Sequence, residues 1–169
     1  MGKVIFVVGG ARSGKSTFAA SLCKENTTFI ATAEALDDEM KKRIALHKRE
    51  RSKAWRTVDA PRDLVHGVKS VKRSSDMVIV DCLTLFISNL VCGGVREAVI
   101  KRQVGSALKL LSMRRGLSVI VSNEVGLGIV PENVLAREFR DIAGRVNQDV
   151  AKFSDEVYFV VSGIPWRIK

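Results

Sequence analysis

Residues 9 to 16 read Gly9-Gly10-Ala11-Arg12-Ser13-Gly14-Lys15-Ser16 and satisfy G-x-x-x-x-G-K-[ST] at every fixed position. These residue types suit one task. Glycines let the backbone turn its N–H groups inward onto phosphate oxygens, and the helix that follows adds the partial positive charge of its N-terminus. Lys15 is then expected to reach the β- and γ-phosphates, and the Ser16 hydroxyl to bind Mg²⁺. A second acid suits the same ion. Met77-Val78-Ile79-Val80-Asp81 is an apolar run closed by a carboxylate, the Walker B pattern, so Asp81 is the expected second metal contact.

His47 is the third candidate. It stands among Arg43, Lys48, Arg49 and Arg51. Such neighbours disfavour the imidazolium form and attract phosphates. A neutral imidazole can attack phosphorus and form a phosphoramidate, which splits one transfer into two easier steps. The other histidine, His66, sits in the ordinary context Leu64-Val65-His66-Gly67 and is read as structural.

The net charge of +10 is concentrated around this histidine: residues 41 to 73 carry twelve Lys and Arg against three acids. A patch this dense calls for an anionic partner or open solvent. Trp55 is the only aromatic within it, which argues against a base-stacking surface for nucleic acid and for the phosphates of a small ligand.

The positioning elements follow from periodicity. Val4 to Val8 reads as a strand feeding the glycine loop, and Lys15 onward as a helix. Thr28 to Thr32 reads as a second strand. Asp37 and Asp38 open a helix whose cations lie further along, as the helix dipole favours. Pro61 ends the segment that holds Trp55 and Val58, and Arg62 to Val71 suggests another helix. Further helices are expected at Leu83–Val91, Val95–Met113 and Asn133–Phe153, with strands at Leu117–Val121 and Glu156–Val161 and a short edge strand near Trp166–Lys169. Strands alternating with helices predict an α/β protein with a mostly parallel sheet covered on both faces. Leu85, Phe86 and Leu90 exceed what one helix face needs, so that helix is a candidate subunit contact.

The length suits one domain, residues 1–169. Cys23, Cys82 and Cys92 are odd in number and none form C-x-x-C, as expected of free thiols in a reducing cytoplasm. The N-terminal apolar run is not expected to be a signal peptide, and no stretch is long enough to span a membrane.

A wider set of segments carries a family resemblance. Besides the glycine loop these are Ile30-Ala31-Thr32, Asp37-Asp38-Glu39-Met40, Arg43-Ile44 with His47, Trp55-Arg56-Thr57 and Asp81-Cys82-Leu83-Thr84. Ser122 to Gly126, Gly128 to Pro131, Phe139 to Asp141 and Gly144-Arg145 with Asn147-Gln148 complete it. Together they resemble the bifunctional adenosylcobinamide kinase / adenosylcobinamide-phosphate guanylyltransferase family of cobalamin biosynthesis, over nearly the whole chain. The resemblance implies a P-loop NTPase core of the RecA-like kind and a homotrimer. It implies phosphorylation of adenosylcobinamide by ATP or GTP, then GMP transfer from GTP through a guanylylated histidine, which falls on His47. It places nucleotide contacts on Gly9, Gly10, Ala11, Arg12, Ser13, Gly14, Lys15 and Ser16, and on Ala31, Thr32 and Ala33. Further contacts fall on Lys48, Arg49, Glu50 and Arg51, and on Asp59 and Asp81. The chain has Ser52 where many relatives have Pro, and Asp59 where many have Glu, which shortens that carboxylate. A generic P-loop small-molecule kinase is the alternative. It would explain the glycine loop and Asp81 but leave His47 and the block from Ser122 to Gln148 without a purpose.

Overall fold

Runs of Val and Ile supply the strands and amphipathic segments the helices, in the alternation the sequence predicts. The computed structural model describes residues 2–35, 37–50 and 52–169; the side chains of Arg43, His47 and Glu50 lie outside the described residues. The elements in chain order are β1 (Lys3–Gly9), α1 (Lys15–Ser21), β2 (Thr27–Ala31), α2 (Asp38–Glu50), β3 (Arg56–Asp59), α3 (Leu64–Lys69) and β4 (Met77–Asp81). Then follow α4 (Leu83–Cys92), α5 (Glu97–Met113), β5 (Leu117–Asn123), α6 (Val134–Phe153), β6 (Glu156–Val161) and β7 (Ile164–Arg167).

The strands form one sheet in the order β3-β2-β4-β5-β1-β6-β7, parallel except for β7, which pairs antiparallel with β6. Side-chain alternation splits each central strand between two cores. Val4, Phe6 and Val8 of β1 join a core with α3, α4, α5 and α6, while Ile5 and Val7 face Ala19 and Phe18 of α1. Adjacent strands β1 and β5 therefore send their outgoing loops to opposite faces of the sheet. Such a switch point opens a crevice at the carboxyl ends of the strands, where α/β proteins bind ligands.

Three features differ from the sequence expectations. β3 was not expected, because Arg56-Thr57-Val58-Asp59 holds one apolar residue and no alternation. It forms by pairing Arg56 to Asp59 along Thr28 to Ala31 of β2, as an exposed edge strand. α3 is shorter than expected because Asp63 caps it, its carboxylate accepting from the N–H of His66 at 2.8 Å. The apolar surplus of α4 is spent within the chain: Leu83, Phe86, Ile87, Leu90 and Val91 are all buried in the larger core. Of the three residues that suggested a subunit contact, Phe86 and Leu90 are thus occupied within the chain, while Leu85 is only half-buried.

Candidate functional site

β1 delivers the glycine loop to the crevice. Gly9 must lack a side chain, since a Cβ there would run into the Val160 carbonyl of β6. Gly14 lies at φ 93°, a left-handed conformation that favours glycine, and its α-carbon faces the backbone of Gly163. Gly163, in the turn between β6 and β7, donates its N–H to the Ser13 carbonyl at 2.8 Å. The C-terminal hairpin thus buttresses the loop. Arg12 also has a positive φ, 55°, so the loop bends at a residue where that conformation is costly.

Lys15 is buried, 6% exposed, and its Nζ donates to the Gly10 carbonyl at 2.5 Å and to Ser13 Oγ at 3.4 Å. Burial lowers its pKa below the usual lysine value, with the nearby Asp81 among the groups acting the other way. The cation is held inward by loop atoms. Ser16 Oγ donates to Asp81 Oδ2 at 3.3 Å, across the gap from α1 to β4. A hydroxyl and a carboxylate are hard oxygen donors, and one such pair plus phosphate oxygens is how Mg²⁺ is commonly held beside a nucleotide.

Behind Asp81 the chain is fixed from two sides. The Asp81–Cys82 peptide bond is cis. Thr32, completely buried, donates its hydroxyl to the Cys82 carbonyl at 2.7 Å and accepts from the Cys82 N–H at 2.8 Å. The Asn89 amide donates to the Thr32 carbonyl at 2.8 Å. The Thr32 hydroxyl therefore serves the peptide after Asp81. Burial, then the charge of Asp81, raises the Cys82 thiol to about 11, so it is a neutral thiol at physiological pH.

The far wall is tied by a buried polar network. The Ser122 hydroxyl donates to Asn147 Oδ1 at 2.8 Å, so the Thr84 hydroxyl donates to Ser122 Oγ at 2.9 Å while accepting from the Asn123 N–H at 2.5 Å. Asn147 Nδ2 donates to the Asn123 carbonyl at 3.1 Å. The network joins the end of β5, the start of α4 and the interior of α6, and the Glu124 N–H donates to the Gly9 carbonyl at 2.9 Å, which ties it to the glycine loop. Sequence reading noticed these residues only as parts of a resemblance. Their signal was polar side chains at the carboxyl end of an apolar strand and on the buried stripe of a helix. Asn147→Leu keeps the branched outline, with two methyl groups in place of the amide atoms, but leaves the Ser122 hydroxyl and the Asn123 carbonyl without their Asn147 partners. It should cost about 1–3 kcal/mol of unfolding free energy in urea, at unchanged m-value.

The remaining candidates are spread across the sheet. Gly9 to Ser16 and Asp81 converge. Ala31 is buried in the smaller core, and Ala33 is half-buried beyond the end of β2. Lys48 and Arg49 are exposed on α2. Asp59 ends β3, four strand spacings from β1, roughly 19 Å at the usual separation. His47 and Glu50 belong to α2 by backbone, but their side chains, and all of Arg51, lie outside the described residues.

The sheet order, the strand–glycine loop–helix unit and the Ser16–Asp81 contact define a P-loop NTPase of the RecA-like kind. A KaiC-like protein from the archaeon Pyrococcus horikoshii shares the fold, with TM-score 0.54 and 13% identity over 93% of this chain and 70% of its own. Sequence comparison narrows the class. The chain belongs to the cobinamide kinase / cobinamide phosphate guanyltransferase family, matched over residues 5–168. It is 43% identical to the bifunctional adenosylcobalamin biosynthesis protein CobU of Salmonella typhimurium, over 98% of this chain and 99% of that one. It is 41% identical to CobU of Escherichia coli, over 98% and 99%, and 39% identical to CobP of Pseudomonas aeruginosa, over 96% and 95%.

Proposed function

We propose that this protein phosphorylates adenosylcobinamide and then converts the phosphate ester to adenosylcobinamide-GDP. The observation that carries the reading is the Ser16–Asp81 contact beside the buried Lys15, in a chain matched to the family over residues 5–168. In the first reaction the glycine-loop N–H groups and Lys15 hold the β- and γ-phosphates of ATP or GTP. The acceptor hydroxyl attacks the γ-phosphorus, the bond to the β-phosphate oxygen breaks, and the nucleoside diphosphate leaves. Ser16 and Asp81 would hold Mg²⁺, which neutralises charge on the phosphate oxygens.

In the second reaction a ring nitrogen of His47 attacks the α-phosphorus of GTP and pyrophosphate leaves. An oxygen of the acceptor's phosphate then attacks the same phosphorus, the P–N bond breaks, and the free imidazole is restored. For this, α2 must approach the glycine loop from a strand three positions away from β1. Among its described residues none is buried, so the helix can move while exposing little apolar surface. Ala33, Lys48, Arg49, Glu50, Arg51 and Asp59 are proposed to meet the nucleotide in that closed arrangement.

The test is to mix the protein with GTP labelled at the α-phosphorus and Mg²⁺ alone. The reading expects a covalent label that is acid-labile and base-stable; a simple kinase acquires none.

A homotrimer in the cytoplasm completes the proposal. With α4 buried, the support is the edge strand β7, whose Ile164 and Trp166 lie exposed with Ile168 on one face of the sheet. Light scattering should give about three times the chain mass, and Trp166→Glu should lower it; a wild-type monomer at micromolar concentration would refute the trimer.

A further inference from the structure

The loop after β5 and the middle of α6 enclose an open cleft of about 490 Å³ that the nucleotide chemistry does not use. One wall is loop backbone at Gly126 and Gly128; the other is α6, with Gly144 between Arg140 and Gln148. Gly144 lies inside a 20-residue helix, where glycine costs roughly 0.5–1 kcal/mol relative to alanine. No packing among the described residues requires it, since a Cβ there would meet none of their atoms within 4 Å. Gly128 has the same open space around its missing side chain. Beside them the loop turns Leu127, Ile129 and Val130 outward, with Ile129 97% exposed.

The cleft's place in the fold bears on what it takes. Gly9 and Asn123 are register partners at the ends of β1 and β5, and the Glu124 N–H is bonded to the Gly9 carbonyl. The loop that forms the cleft therefore starts alongside the glycine loop but leaves on the α6 face, away from α1. A nucleophile attacking the γ-phosphorus in line must approach from the side opposite the leaving diphosphate. The α6 face of the crevice is where such a group has room.

We propose that this cleft is the acceptor site and takes the edge of a large amide-fringed macrocycle together with the amide-linked arm that carries the reacting hydroxyl. Arg140, Asp141 and Gln148 supply donors and acceptors for peripheral amides. The exposed Leu127, Ile129 and Val130 give an apolar shelf for the part of the ring that the cleft is too small to enclose. The absence of side chains at Gly128 and Gly144 lets the ligand approach both walls closely.

This inference rests on the proposed kinase reading, and the experiment separates the two. Gly144→Leu and Gly128→Val fill the cleft from opposite walls without a clash inside the chain. Gly105→Leu in α5 is the control, because a Cβ there also meets nothing within 4 Å and it does not line the cleft. Each cleft variant should raise the KM for cobinamide in the phosphorylation assay by about tenfold or more, with GTP affinity within about twofold of wild type. The control should change neither. Unchanged KM in both cleft variants would overturn the assignment, as would a loss of GTP affinity equal to the loss for the acceptor. A change in oligomeric mass with KM unaltered would give the cleft to a subunit contact instead. A wild-type protein that binds GTP but never phosphorylates cobinamide would remove the kinase reading, and this site with it.

Discussion

His47→Asn protein should bind GTP and still acquire no covalent GMP. Asn keeps a polar side chain of similar reach but has no basic nitrogen lone pair to attack phosphorus, so the P–N bond cannot form. Transfer of GMP to the phosphorylated corrinoid should be lost entirely. Phosphorylation of the corrinoid should persist within a few-fold, because it needs the glycine loop, the Ser16–Asp81 pair and a positioned hydroxyl. In the wild-type protein labelling should fall as pH drops and the ring takes up a proton, since a protonated ring cannot act as the nucleophile. A label retained in the variant and mapped to His66 would move the role there. Loss of phosphorylation to the same degree would mean that the substitution damages the site as a whole.

Lys15→Met should abolish both reactions while leaving the folded protein intact. Each reaction needs the same triphosphate held by the same loop, and removing one charged donor from a site that stabilises a transition state costs at least about 100-fold. The nucleotide-free protein should behave differently from the loaded one. Lys15 is buried and its pKa is lowered mainly by that burial, so the folded state disfavours its charge. The folded chain then binds this proton less tightly than the unfolded chain. The resulting cost is present in full at neutral pH and is relieved as pH rises through the lowered pKa toward the ordinary lysine value. Lys15→Met removes the charge, and without nucleotide its melting temperature should equal or exceed that of wild type at pH 7, with any gain shrinking at high pH. Wild type should gain about 2.7 kcal/mol of stability at a GTP concentration 100 times its Kd; the variant should gain almost none. A variant that is still stabilised by GTP would place the nucleotide elsewhere.

These expectations rest on parts of the chain that were legible to different degrees. The glycine loop could be read in full because its chemistry is local: eight consecutive residues carry the turn, the cation and the hydroxyl. Asp81 was legible as an apolar run ending in an acid. The long helices were legible because an amphipathic period repeats over several turns, and His47 stood out through the cations beside it in sequence. Other features required the fold because their causes lie in distant segments. β3 has too little apolar pattern to announce itself and exists by pairing with β2. The apolar excess of α4 reads equally well as an interface or a core helix, and the packing of α5 and α6 around it makes it core. Gly14 is held by Gly163 from the far end of the chain, and Thr32 spends its hydroxyl on the peptide after Asp81. The cleft beside Gly144 exists because the loops after β1 and β5 leave opposite faces of the sheet, which is a matter of strand order, and no single segment contains strand order.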